Sequence, residues 1–318
     1  MVETKSILVT GGAGFIGSNF IPYFLAANPQ YKIINLDLLT YAANLDYLAE
    51  VANNSNYVFV KGDICDAALV TKLFAEHDIC GVINFAAESH VDNSIERPES
   101  FLRTNIMGAF NLINAAYKHW MVGPFQYKDK YQGCRFHHIS TDEVYGSLGP
   151  TGLFTEGTAY APNSPYSASK ASSDFLIRAY HHTYGMNVTT SNCSNNYGPK
   201  QHSEKLIPTI IEKAMAGENI PIYGDGNNIR DWLYVIDHCK AIDLIYHKGI
   251  AGQTYNVGGR NEKTNLEVVD AILGLLDAAY PRSDGASYKE QITFVKDRVG
   301  HDRRYGIDAT KVEQDLGW

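Results

Sequence analysis

Tyr166 and Lys170 stand four residues apart in the run SPYSASKA, a spacing that places both side chains on one face of a helix. A free tyrosine has a pKa of about 10 and is a poor base at neutral pH. An ammonium beside it favours the tyrosinate and lowers that pKa. Pairs at this spacing are common on solvated helices, so Tyr166 and Lys170 need supporting residues before they count as a site. Thr141, 25 positions before Tyr166 at the end of an apolar run, supplies a hydroxyl able to hold the same substrate oxygen. The three together describe oxidation of an alcohol.

Asp142 and Glu143 follow directly in Ser140-Thr141-Asp142-Glu143-Val144-Tyr145-Gly146. Simple dehydrogenation requires neither carboxylate. Once a carbinol carbon becomes a ketone, however, the neighbouring C–H is acidic and a hydroxyl one carbon further on can leave as water. That elimination needs a base and an acid, and adjacent buried carboxylates divide the roles because their repulsion raises one pKa. The plainer alternative is a solvated acidic turn after a strand.

An alcohol oxidation needs a hydride acceptor, and the first residues provide for one. Gly11-Gly12-Ala13-Gly14-Phe15-Ile16-Gly17 follows the strand-like run Ser6 to Thr10 and opens a helix, with glycines at 11, 14 and 17. A tight turn, close phosphate approach and helix-strand packing each exclude a side chain, and the helix start offers free N–H groups to a pyrophosphate. Asp37 ends the second strand twenty residues beyond Gly17, where a carboxylate binds both ribose hydroxyls of NAD and repels the 2'-phosphate of NADP. Asp63 and Ile64 after the third strand, and Ala86 and Ala87 after the fourth, are expected to border the same cofactor. The positive ring of oxidised nicotinamide adds to the influence of Lys170 on Tyr166.

Short β-branched runs alternate with longer amphipathic ones. Ser6 to Thr10, Lys32 to Asp37, Tyr57 to Lys61, Gly81 to Phe85, Arg135 to Ile139 and Val188 to Ser191 read as strands, and 164–184 as a helix stopped by Gly185. This alternation predicts a parallel sheet covered on both faces. From about Asn195 the pattern loosens around Gly198, Pro199, Pro208, Pro221 and Gly224 to Gly226, while Asp237 to His247 reads as a helix and Thr254 to Val257 as a strand. The stretch Trp120 to Gly133 reads as an extended surface connection. The expected units are a first domain of 1–194 plus about 231–258, and a smaller lobe of about 195–230 plus 259–318.

The 318 residues allow two lobes with a cleft, and a net charge of -8 argues against a nucleic-acid binder. Five scattered cysteines with no CxxC spacing read as reduced thiols, and no histidine pattern indicates a metal. No basic leader precedes Ile7 and no run is long enough to span a bilayer, so a cytoplasmic location without a membrane partner is expected.

At this point the motifs closely resemble the dTDP-glucose 4,6-dehydratase family, of the extended short-chain dehydrogenase type, over nearly the whole chain. The resemblance rests on GGAGFIGSNF, Asp37 through Leu39-Thr40-Tyr41, NFAAESHVDNSI, STDEVYG, SPYSASKA, SNCSNNYGP, EKLIP, RDWLYV, NVGGRNEKTN and DRVGHDRRY. It implies an α/β, modified Rossmann, doubly wound parallel sheet with a smaller C-terminal substrate-binding lobe. It further implies that Asp142 protonates a departing C6 hydroxyl, that Glu143 removes the C5 proton, and that Tyr166 takes the C4 hydroxyl proton, supported by Lys170 and Thr141. Leu38, Thr40, Thr104 and Asn196 would contact NAD. Ser89, Asn195, Lys205, Leu206, Pro221, Ile222, Tyr223, Arg230, Asn265, Asp297, Arg298 and His301 would bind dTDP-glucose. For Arg230 there is also a physical case, since a guanidinium grips a diphosphate bidentately.

The resemblance implies a homodimer paired through helices near Ser94 to His119 and Ser164 to Tyr184. Ala43 replaces a common glycine, Val299 stands where a proline or another small apolar residue is frequent, and the chain ends at Leu316-Gly317-Trp318 where a further helical segment is expected. Two other readings stand beside this one: a nucleotide-sugar epimerase or decarboxylase, which needs no Asp142-Glu143 couple in these roles, and a non-catalytic NAD-binding regulator.

Overall fold

The computed structural model describes residues 5–318. Its first strand, β1 (Lys5–Thr10), buries its last four residues, and α1 (Phe15–Ala27), β2 (Tyr31–Asp37), β3 (Tyr57–Lys61), α2 (Ala67–His77) and β4 (Ile79–Asn84) follow. The next helical region is not continuous. It divides into α3 (Val91–Glu96), α4 (Pro98–Phe101), a π-helical segment Leu102–Gly108 and α5 (Ala109–Trp120). The break lies at Arg97, whose φ of −138° and ψ of 66° leave helical geometry because the next residue is a proline.

The stretch 120–133 differs from the expected surface connection. Trp120 is fully buried with Nε1 donating to the Ile79 carbonyl at 2.7 Å, and a hairpin forms from β5 (Met121–Gly123) and β6 (Gln126–Tyr127). Lys128 explains the polar composition: its ammonium donates to the carbonyls of Lys118 and His119 at 3.2 and 2.7 Å, satisfying the end of α5. Then come β7 (Arg135–Thr141), α6 (Pro165–Tyr184) and β8 (Val188–Cys193). Ser164 and Ser167 cap α6 reciprocally, Pro165 occupies its first turn, and Gly185 ends it at φ 73°.

The remaining elements are β9 (Asn195–Tyr197), α7 (Leu206–Ala216), β10 (Ile220–Tyr223), β11 (Ile229–Tyr234), α8 (Val235–Lys248), β12 (Thr254–Val257), β13 (Glu262–Thr264), α9 (Asn265–Ala279), β14 (Ile292–Val295) and α10 (Thr310–Leu316). A seven-stranded parallel sheet has the order β12-β8-β7-β4-β1-β2-β3. Along its strands the two faces alternate: Leu8, Ile34, Val82 and Phe136 belong to one core with α2, α5 and α6, and Ile7, Val9, Ile33 and Ile83 to the other with α1 and α8. The chain winds outward from β1 through β2 and β3, then returns to place β4 on the other side. That reversal opens a crevice beyond the carboxyl ends of β1 and β4.

Outside the large sheet, β9, β11 and β13 form one small sheet, β10 and β14 pair in parallel, and α7 and α9 pack around Ile210, Ile222 and Leu273. The last helix departs from the expected division. In α10, Val312 and Leu316 join a cluster with Ala241 of α8 and Val257 of β12, so the chain end packs on the large sheet rather than in the smaller lobe.

Candidate active site

The three glycines of the first turn do different work. At Gly11, with φ +69°, an added Cβ would lie 2.6 Å from the Ala86 nitrogen, and at Gly17 it would lie 2.5 Å from the Gly11 carbonyl oxygen. Both exclusions come from the protein's own packing. At Gly14 a Cβ would meet nothing closer than the Gly11 oxygen at 3.3 Å and would enter the cleft. Gly14 is also the N-cap of α1 without a side-chain cap bond, so the first N–H groups of the helix face the same space. The cradle, these donors and Asp37 fit a dinucleotide pyrophosphate and ribose. Asp37 is held ready: Oδ2 accepts from Ala13 N at 2.9 Å and Oδ1 from Leu39 N at 2.8 Å, while burial pushes its pKa up against those bonds.

One cleft of about 330 Å³ is lined by Gly11, Gly14, Phe15, Ile16, Gly17, Asp37, Leu38, Thr40, Asp63, Ile64, Ala86, Ala87, Thr104 and Asn196, and by Thr141, Asp142, Glu143, Tyr166 and Lys170. Asp63 accepts from Cys65 N at 2.8 Å and pairs with Arg103 at 3.2 Å. Thr104 comes from the π-helical segment, where the extra residue per turn shifts side-chain direction.

Thr141 ends β7 and caps a single 3-10 turn, Asp142–Tyr145: its hydroxyl accepts from Glu143 N at 3.3 Å and donates to Asp142 Oδ1 at 3.4 Å. Asp142 is 1% exposed, and its Oδ2 has no partner. Burial first, then the charges of Glu143 and Asp231, raise the Asp142 pKa well above the carboxylate range, with Arg230 opposing. Burial also raises Glu143, but there Arg230 and Lys205 oppose it. The pair is therefore held unequally: like charges add to burial at Asp142, while two cations oppose it at Glu143.

Tyr166 reports a different balance from the one its spacing suggests. Burial, followed by the Glu143 charge, holds its pKa well above that of a free phenol, against a hydrogen bond with Thr141. Lys170 does not bond the phenol: Nζ donates to the Ile139 carbonyl at 2.7 Å, and burial lowers its pKa against the charge of Asp174. From the protein's own groups, desolvation outweighs the ammonium.

Of the residues expected to touch the sugar nucleotide, Ser89, Asn195 and Lys205 line the cleft with the catalytic group, and Lys205 Nζ donates to the Ser89 carbonyl at 3.2 Å. Arg230 lies within reach of the carboxylates electrostatically, but its guanidinium donates to the carbonyls of Ile229 and Asp302 and lies 4.2 Å from the Tyr305 ring centroid. Leu206 begins α7 and Asn265 begins α9. Ile222 is 1% exposed and belongs to the lobe core, unlike its half-exposed neighbours Pro221 and Tyr223 on β10. Asp297 accepts from His301 at 2.7 Å, and Arg298 Nη2 donates to Asp92 at 2.9 Å, tying the 297–301 segment to α3.

Glu88, Gln201, His202 and Glu204 also line the cleft and were not singled out from the sequence. Glu88 follows the end of β4, the position where ligands meet a parallel sheet, which is the signal that could have found it. Asn105 had no such signal. It is buried and clamps Glu88 from both directions, accepting from its N–H at 2.9 Å and donating to its carbonyl at 3.0 Å. Among the described residues no group of three or more His, Cys, Asp or Glu could hold a metal ion, no helix is long and apolar enough to cross a membrane, and all five cysteines are free.

The family model described as GDP-mannose 4,6 dehydratase matches residues 8–318. A dTDP-glucose 4,6-dehydratase of Xanthomonas campestris pv. campestris is 58% identical over 311 residues, 98% of this chain and 87% of the relative. The solved dTDP-glucose 4,6-dehydratase of Bacillus anthracis, in complex with NAD, is 47% identical, with a TM-score of 0.85 over 99% of this chain and 91% of that one. That of Streptomyces venezuelae, also with NAD bound, is 43% identical, with a TM-score of 0.88 over 98% and 91%. The chain belongs to the dTDP-glucose 4,6-dehydratase family, within the short-chain dehydrogenase fold.

Proposed function

We propose that this chain is an NAD-dependent dTDP-glucose 4,6-dehydratase that converts dTDP-glucose to dTDP-4-keto-6-deoxy-glucose and water in deoxysugar biosynthesis. The observation that carries the reading is the unequal Asp142-Glu143 pair beside Tyr166 and Thr141, in the cleft that begins at Gly14. NAD, when bound, supplies the site that accepts hydride from C4 and gives it back at C6. Gly11, Gly14, Phe15, Ile16, Gly17, Asp37, Leu38, Thr40, Asp63, Ile64, Ala86, Ala87, Thr104 and Asn196 would hold it, with Tyr166 and Lys170 at the nicotinamide end.

Tyr166 takes the C4 hydroxyl proton as its anion, which the charge of Lys170 and the positive ring of bound NAD would favour against burial, with Thr141 holding the same oxygen. The C4 ketone then acidifies C5–H. Glu143 removes that proton and Asp142 protonates the C6 hydroxyl as it leaves, so water is lost across C5 and C6. Glu143 returns its proton to C5 as C6 is reduced, and the proton gained by Tyr166 makes good through solvent the one Asp142 gave, so the sugar loses only water. Ser89, Asn195 and Lys205 bind the substrate in the cleft, and Leu206, Pro221, Tyr223, Arg230, Asn265, Asp297, Arg298 and His301 complete the nucleotide side, with Ile222 supporting them from the lobe core.

A homodimer belongs to the same reading, supported by the exposed apolar side chains Ile95, Leu102 and Met107 in the α3 to α5 region and Phe175 on α6. A cytoplasmic setting suits the five free thiols. Incubation with dTDP-glucose and UDP-glucose separately, followed by NMR of the products, tests the assignment. The 4-keto-6-deoxy product from dTDP-glucose supports it; a C4 epimer, or no product from either sugar, rejects it.

A further inference from the structure

Behind Lys170, away from the cleft, lies a buried carboxylate that the reaction above does not use. Asp174 is one helical turn beyond Lys170 on α6 and 5% exposed. Its Oδ2 accepts from Ser140 Oγ at 2.8 Å and from Tyr160 OH at 3.0 Å. Its Oδ1 has no hydrogen-bond partner and lies 3.4 Å from His138 Nε2. The same His138 nitrogen is 3.5 Å from Lys170 Nζ, so one imidazole nitrogen lies near both ammonium and carboxylate.

The protonation of His138 follows from its other neighbours. Thr10 Oγ1 lies 3.4 Å from the Ala86 N–H and donates to Asn84 Oδ1 at 2.6 Å, which turns the Asn84 amide so that Nδ2 donates to His138 Nδ1 at 3.1 Å. Nδ1 is then an acceptor, and the neutral ring carries its proton on Nε2, facing Asp174 and Ser173. Burial keeps this ring neutral, its pKa well below the usual histidine value. A Nε2–H cannot accept from Lys170. The ammonium therefore gives one N–H to the Ile139 carbonyl and keeps the others for the cleft it lines.

An ammonium 4% exposed needs a compensating charge, and Asp174 is the acidic side chain that acts most strongly on it. The remaining titratable groups around Asp174 are His138 on β7, Tyr160 in the preceding loop and Tyr145 of the 3-10 turn, all neutral at pH 7. Tyr160 and Tyr145 share the Asn192 amide at 3.1 and 2.9 Å, which anchors the cluster to β8.

We propose that Asp174 is a positioning residue for the oxidation step: one helical turn beyond Lys170 and close to the same His138 nitrogen, its charge holds Lys170 as an ammonium in the cleft that Tyr166 also lines. The inference rests on the proposed function only for the step that Tyr166 performs. Its effect is on the phenol and is read there. Loss of the carboxylate disfavours the ammonium, and loss of the ammonium raises the Tyr166 pKa.

The test titrates tyrosinate by near-ultraviolet difference absorbance in the NAD-bound protein, with Tyr166→Phe as the background that removes the other tyrosines. Asp174→Asn should raise the Tyr166 midpoint by about one pH unit or more. It should lower kcat at pH 7 by about tenfold with KM changed by less than about twofold. Asp174→Glu, which keeps the charge, should recover most of both. An unchanged midpoint in folded Asp174→Asn overturns the proposal. If that variant does not fold, Asp174→Ser decides: it removes the charge while keeping a hydroxyl toward Ser140 and Tyr160, it should move the midpoint upward, and no movement overturns the proposal equally. The midpoint is read without sugar. Failure of the parent to convert dTDP-glucose would therefore count against the proposed function and leave the Asp174 result to stand on its own.

Discussion

The Thr141 hydroxyl reaches Asp142 Oδ1 at 3.4 Å, leaving Asp142 Oδ2 buried without a partner. An ionised carboxylate so placed loses hydration without replacement, at a cost of about 1–3 kcal/mol or more. Its protonated form instead has a donor to offer a departing hydroxyl. Asp142→Asn should oxidise C4 and then stall, since an amide cannot supply the proton hydroxide needs on leaving. Stopped-flow absorbance should show reduced nicotinamide building up while product formation falls about 10²- to 10⁴-fold. Dehydration at the parent rate would mean that another group is the acid.

Tyr166→Phe removes the proposed acceptor of the C4 hydroxyl proton while keeping the ring that fills the site. NAD affinity should stay within about threefold of the parent and kcat should fall about 10²- to 10⁴-fold. Equilibrium NAD titration and steady-state rates check both halves. Near-normal turnover rejects the assignment.

Gly14 and Gly17 should fail in different ways. Gly17→Ala drives a Cβ to 2.5 Å from the Gly11 oxygen and 2.6 Å from Gly12 Cα, both backbone atoms, so thermal stability should drop. Gly14→Ala meets only the Gly11 oxygen at 3.3 Å and places its methyl where a pyrophosphate would lie. It should fold and bind NAD at least about tenfold more weakly. A Gly14→Ala protein with parent NAD affinity would show that the cradle is not used.

The extent to which these features were legible in the sequence follows the range of the interactions. The glycine run, Asp37 and the ends of β3 and β12 are set by local spacing and alternation, and the structure has them where they were expected. The Tyr166-Lys170 face is likewise local. The inward face of Ile222, the break at Arg97 and the burial of Trp120 depend on what packs opposite, which a single segment does not record. Asn105, His138 and Asp174 were illegible for a stronger reason. Each hydrogen-bonds to partners 14 to 64 residues away, and a lone buried polar residue has no period to betray it.

His137 carries a pH dependence of stability. It lies fully buried between β7 and β8, with Nδ1 2.9 Å from Thr189 Oγ1 and Nε2 3.2 Å from Ser191 Oγ, and burial lowers its pKa from 6.5 to about 3. The unfolded chain binds this proton first, so the contribution is complete above pH 6.5 and is lost as pH falls toward 3. His137→Gln removes that loss. Chemical denaturation at several pH values should show the parent losing stability relative to the variant across this window; a constant difference would place the titration elsewhere.

The most direct test of the closed redox cycle follows deuterium placed at C4 of dTDP-glucose. With the sugar held beside one cofactor throughout, the label should appear at C6 of the same product molecule. A mixture of deuterated and unlabelled substrate, told apart by a second carbon label, shows by mass spectrometry and NMR whether transfer stays within one molecule. The account predicts deuterium at C6 without crossover. Deuterium retained at C4, released in free reduced cofactor, or exchanged extensively between sugars would contradict it.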